Sequence, residues 1–163
     1  MKILVLGLGN PILGDDAIGL RVARAVASVL HGRQDIEVGE DYYGGLRLME
    51  RMIGYDRAIL IDALVSGGRP GTIHHLTPHD LPTAHTSSSH DVNLPAALAV
   101  GYQAGAHLPA IEDIHIVAIE AEEVQTFTED LTPDVEAAIP VAVDAVLEWV
   151  SREHDAGAGP LRS

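Results

Sequence analysis

The stretch Ile3-Leu4-Val5-Leu6-Gly7-Leu8-Gly9-Asn10-Pro11-Ile12-Leu13-Gly14-Asp15-Asp16 decides the fold of this chain. Ile3 to Leu8 contains no polar side chain, the pattern of a parallel strand covered on both faces. Gly9-Asn10-Pro11 breaks the run. From Asp16 to Leu30 the periodicity is helical, with Ile18, Val22, Val26, Val29 and Leu30 on one stripe. A buried strand feeding an amphipathic helix is a βα unit, and the alternation continues downstream. Asp35 to Glu40 reads as a short second strand. Gly44-Gly45 opens a helix through Ile53, which Gly54 ends. Arg57 to Asp62 is a third, buried strand. Thr72 to Leu76 is a fourth, placed at an edge because its His residues alternate with apolar ones. Asp113 to Ile119 is the fifth. A helix is expected over Val92 to Ala106, with Pro95 in its first turn and Asp91 or Ser89 as its cap. The last helix spans Pro133 to Arg152, and Pro140 inside it predicts a kink or break.

Strands alternating with helices predict an α/β fold, a three-layer sandwich around a mostly parallel, twisted sheet of five strands with right-handed crossovers. The 163 residues form one domain, residues 1–152, followed by a Gly/Ala-rich tail, residues 153–163, expected to be disordered. Hydrophobic residues make up 47%, enough for a substantial core. Ten Lys plus Arg against 24 Asp plus Glu leave a net charge of −14, which argues against nucleic acid or an anionic membrane as partner and favours a cation or a basic peptide. With no cysteine, disulfides, thiolate metal sites and a Cys nucleophile are excluded. No segment reaches the ~18 apolar residues of a membrane span. The first apolar run is too short for a signal peptide, so the expected compartment is the cytoplasm.

Ligands of parallel sheets sit beyond the carboxyl ends of the strands. A dinucleotide loop after strand one fails, because the third glycine of G-x-G-x-x-G falls on Ile12, and Asp15 and Asp16 would repel a pyrophosphate at the helix start. Asp15 and Asp16 read either as capping carboxylates or, for Asp16 above all, as ligands. Asp62, directly after Ala58-Ile59-Leu60-Ile61, reads as a turn carboxylate or as a ligand or base. The polar segment 77–90 ends in Ser87-Ser88-Ser89-His90, and His90 is either a surface residue beside a cap or a third donor. Two Asp and one His would form an open site for a divalent transition metal, and imidazole suits nickel and zinc. His74, His75, His79 and His85 in the same region are expected to be solvated. Serine-protease chemistry lacks a G-x-S-x-G elbow.

These residues carry a resemblance. Gly7-Leu8-Gly9-Asn10 with Asp15-Asp16, Tyr55-Asp56 leading through Ile59 to Asp62, and Ser88-Ser89-His90 resemble the hydrogenase maturation endopeptidases, which trim the C-terminus of the large subunit of nickel–iron hydrogenases. Ser66-Gly67-Gly68 with Pro70-Gly71, and Glu136 to Pro140, add weaker support. The likeness runs from Met1 to about Arg152 and implies a phosphorylase/hydrolase-like α/β sandwich. It implies Asp16, Asp62 and His90 as metal ligands and catalytic residues. Relatives often carry Gly after the first ligand, where this chain has Ala17. The resemblance implies nickel supplied by the client, with zinc or cadmium substituting in vitro, and the nickel-loaded large-subunit precursor as partner. It further implies a single cut that removes the C-terminal extension, with Asp16 or Asp62 as base and Gly44 and Gly45 letting the client tail approach the backbone.

Two other readings use overlapping residues. Peptidyl-tRNA hydrolases share a strand followed by Gly-Leu-Gly-Asn-Pro, but the −14 charge opposes RNA binding. A nickel-sensing docking protein that holds the precursor without cutting would need the same Asp16, Asp62 and His90.

Overall fold

The computed structural model describes residues 1–42, 44–80 and 93–156, with side chains through 152. Five strands, β1 (Ile3–Leu8), β2 (Ile36–Asp41), β3 (Arg57–Leu64), β4 (Ile73–Leu76) and β5 (Ile114–Glu120), form one sheet in the order β2-β1-β3-β5-β4. All pairs are parallel except β4 with β5, which is antiparallel and leaves β4 at the edge, as its alternating pattern predicts. The helices are α1 (Ile18–Val29), α2 (Gly45–Arg51), α3 (Leu94–Gln103), α4 (Pro133–Ala137) and α5 (Ile139–Ala156).

Side-chain alternation along the strands builds two cores. On one face Ile3, Val5, Ile59, Ile61, Val117 and Ile119 meet Val22 and Val26 of α1 and Ala142, Val146 and Val150 of α5. On the other, Leu4, Leu6, Leu60, Leu64 and Ile116 meet Leu48 and Met49 of α2 and Leu94 and Leu98 of α3. The result is the expected α/β sandwich of three layers. The chain leaves β1 in one direction, through α1 to β2. It then crosses back through α2 to β3 and continues outward, so the order reverses between β1 and β3. A crevice at the carboxyl ends of these two strands is where such a sheet receives a ligand.

Several sequence expectations need correction. The first helix starts later than Asp16, because Gly14–Ala17 forms a 3-10 turn ahead of α1. Val29, expected on the buried stripe, stands 61% exposed at the end of α1. β3 runs past Asp62 to Leu64, since Ala63 and Leu64 pair with Ile119 and Glu120. The cap of α3 is Asn93, whose Oδ1 accepts from the Ala96 amide at 2.9 Å. Ser89 and Asp91 lie outside the described residues, as do 157–163 of the expected tail. The break predicted at Pro140 occurs just before it. The helix pauses at Ala138, and Pro140 takes the second position of α5, where a missing N–H costs nothing. Among the described residues no helix is long and apolar enough to cross a membrane.

Candidate active site

Asp16 sits in the 3-10 turn after β1, only 4% exposed. The glycine-rich run before it is a socket for this residue rather than a phosphate cradle. Gly9 has φ +150°, and a Cβ there would lie 2.0 Å from the Asp16 carbonyl oxygen. The Asn10 amide donates to the Asp16 carboxylate at 2.8 Å, while the Asn10 side chain accepts from the Ile12 amide at 3.1 Å and holds the turn. One turn on, a Cβ on Gly19 would meet the carbonyl oxygens of Ile61 at 2.3 Å and Leu8 at 2.4 Å. The start of α1 therefore rests directly on the ends of β1 and β3.

Asp62 lies in β3, 3% exposed, and its Oδ1 accepts from the Ala63 amide at 2.8 Å. By alternation it shares the sheet face of Leu60 and Leu64, the face covered by α2 and α3. The 3-10 turn that carries Asp16 packs against β3. Both carboxylates thus occupy the β1/β3 switch point. His90, the third expected residue, lies outside the described residues, as do Ser87 to Ser89 and His85. The chain resumes at Asn93 and enters α3, in the layer that covers the Asp62 face. Among the described residues no group of three or more His, Asp or Glu is placed to hold a metal ion. Two hard carboxylates are by themselves oxygen donors of the kind a divalent ion accepts.

Asp15 does something else. It is 0% exposed, yet it caps no helix. Its carboxylate accepts from the amides of Glu122 and Glu123 at 3.0 Å each, and from the Thr132 amide and hydroxyl at 2.7 Å each. The capping reading of Asp15 is replaced by a brace. This side chain ties the β5–α4 connection to the turn that carries Asp16. The bond from the Gly14 amide to the Thr128 carbonyl, 2.9 Å, strengthens the same tie.

Sequence reasoning missed Glu120, also 0% exposed, at the end of β5 beside the end of β3. It accepts from the Ser66 amide at 2.9 Å, the Gly68 amide at 2.8 Å and the Ser66 hydroxyl, and His74 Nε2 stands 3.8 Å away. Burial pushes this carboxyl up, but the Ser66 and Gly68 donors, helped by His74, outweigh it and hold the group below its ordinary value of 4.5. Glu120 thereby clamps the loop that follows β3. The available signal was the one that marked Asp62: an acid directly after a buried apolar run. Of the histidines expected to be solvated, His75 and His79 are exposed, whereas His74 is half-buried with Glu120 of β5 beside it.

Known proteins carry the same architecture. The family model described as HycI, hydrogenase maturation protease, matches residues 21–149. The hydrogenase 2 maturation protease of Escherichia coli (strain K12) is 33% identical over 150 residues, covering 90% of this chain and 89% of that protein. The solved hydrogenase maturating endopeptidase HybD from E. coli is similar with a TM-score of 0.77 at 29% identity, over 94% of each chain. The [NiFe] hydrogenase maturation protease HycI from Thermococcus kodakarensis KOD1 shares the fold, with a TM-score of 0.68 at 20% identity over 92% of each chain. Matched over most of its length in sequence and in fold, with two buried aspartates at its switch point, the chain belongs to the hydrogenase maturation protease family.

Proposed function

We propose that this chain removes the C-terminal extension of a nickel–iron hydrogenase large-subunit precursor by one cut, after reading the nickel already inserted in that client. Asp16, Asp62 and His90 are the donors that meet the client's nickel. The observation that carries this reading is the pair of carboxylates, 4% and 3% exposed, at the β1/β3 switch point of a chain without cysteine. Carboxylates so enclosed need hydrogen-bond donors such as the Asn10 and Ala63 amides, and a divalent cation brought to the crevice would meet them as hard oxygen ligands. Nickel belongs to the substrate, and zinc or cadmium stands in for it in a metal titration.

The cut adds water across a peptide bond. One of the two aspartates takes the proton from the attacking water, the oxygen adds to the carbonyl carbon, and the departing amine leaves protonated. A backbone approach is open at Gly44, where an added Cβ would meet no atom of the described residues within 4 Å. The test incubates the purified chain with nickel-loaded and nickel-free precursor and reads the client by mass spectrometry. Shortening is expected of the loaded precursor alone. D16N, D62N and H90A should each slow it about 100-fold or more. Full-speed trimming by any of the three overturns the assignment. Stable capture of the precursor without a change in mass establishes the docking protein instead.

A further inference from the structure

A second group of imidazoles lies away from this site. His75 is on the exposed edge strand β4, and His115 is near the start of β5. His75 pairs in register with Val117, so His75 and His115 are diagonal neighbours on the face covered by α1 and α5. Their ring nitrogens, His75 Nδ1 and His115 Nε2, stand 2.9 Å apart. The rings lie 5.1 Å centre to centre at 26°. Behind them the Trp149 indole of α5 stacks on His115, 6.1 Å away at 11°. His115 is therefore held between two rings, while His75 faces solvent.

We propose that His75 and His115 form a surface site for a late divalent transition-metal ion, separate from the cutting site, with water filling the other positions. Metal–imidazole bonds are about 2.0–2.1 Å long, so two of them at a right angle place their nitrogens about 3 Å apart. That is the separation already present. One ring donates a proton across the contact and the other accepts it. When an ion enters, the donating ring moves that proton to its far nitrogen, and both near lone pairs become ligands without net proton release. In the contact the two nitrogens point at one another, so they swing towards a common ion when it enters, and the exposed His75 ring has the freedom for most of that movement. Independence from Asp62 follows from the sheet. Asp62 pairs with Ala118 and lies on the opposite face, and His115 pairs with Ile59, towards the other end of β3.

Trp149 is the only tryptophan, which makes the test local. Untagged full-length chain is titrated with copper(II), nickel(II) and zinc(II) chloride at neutral pH, following Trp149 fluorescence. Copper(II) and nickel(II) should quench it, copper at the lowest concentration, and zinc should reverse the nickel effect. H75A, a change on the exposed edge, should shift the midpoint at least about tenfold, since loss of even an outer partner of a metal ligand costs that much. D62N should leave the titration unmoved. H75A should trim the nickel-loaded precursor at the normal rate, so this site and the proposed cut stand or fall separately. An unchanged midpoint in H75A, quenching lost in D62N, or no quenching by either metal overturns the proposal.

Discussion

Asp15 and Asp16 are neighbours with opposite duties. Asp16 accepts from the Asn10 amide within its own turn, beside the switch point, whereas Asp15 accepts four hydrogen bonds from a loop more than a hundred positions away. Hydrogen bonds to a charged acceptor contribute about 1.5–3 kcal/mol each, and truncation leaves their buried donors unsatisfied. D15A should therefore lose about 3 kcal/mol or more in urea unfolding, with D15N losing less. Glu120 makes a prediction in pH. Its folded pKa lies below the ordinary 4.5, so the stability it contributes is complete above that value and disappears as pH falls through the lower, folded one. The wild-type chain should lose stability steeply in that acid window. E120Q should start less stable at neutral pH and show a shallower acid limb, both read from denaturant melts across a pH series.

Glycines and prolines set the joints between strands and helices. Gly19 touches two strand carbonyls at distances no Cβ tolerates, and neither carbonyl belongs to a flexible side chain. G19A should lift the start of α1 from β1 and β3, cost about 1–3 kcal/mol, and slow client trimming by moving the Asp16 turn. Thermal unfolding and the trimming assay together check it. Pro140 is the contrasting case. It sits where its absent N–H would have had no partner, so P140A should change stability by no more than about 0.5 kcal/mol. The break before Pro140 was legible because proline chemistry is local. The purpose of Gly7 and Gly9 was not, because the atoms that crowd them belong to Gly19, Ala23 and Asp16, and only packing brings these close.

The acidic excess acts on the molecule through its summed field. With 24 acidic against ten basic side chains, self-repulsion opposes compactness at low ionic strength. Adding sodium chloride from about 10 mM to about 500 mM shortens the Debye length from about 30 Å to below 8 Å, and the melting temperature at neutral pH should rise with it. A flat or falling melting temperature would show that exposed ion pairs such as Arg24–Glu40 outweigh the repulsion.

The α/β class, the five strands with their intervening helices and the edge place of β4 follow from patterns that short windows of the chain display, whereas the strand order and the switch point it creates are tertiary. Alternation, helical period and glycine or proline breaks are properties of neighbours, and the backbone obeys them locally. The two aspartates at the strand ends were legible for the same reason: a charge closing an apolar run has few other places to go. Which acid became a brace and which stayed at the crevice was settled only by folding. The partners of Asp15 lie 107 to 117 positions downstream, and Ser66 reaches Glu120 across 54. Likewise, His75 and His115 are 40 residues apart and meet only because β4 turns back antiparallel beside β5. Long-range hydrogen bonds leave no local periodicity, so tertiary contact alone distinguishes one buried carboxylate from the next.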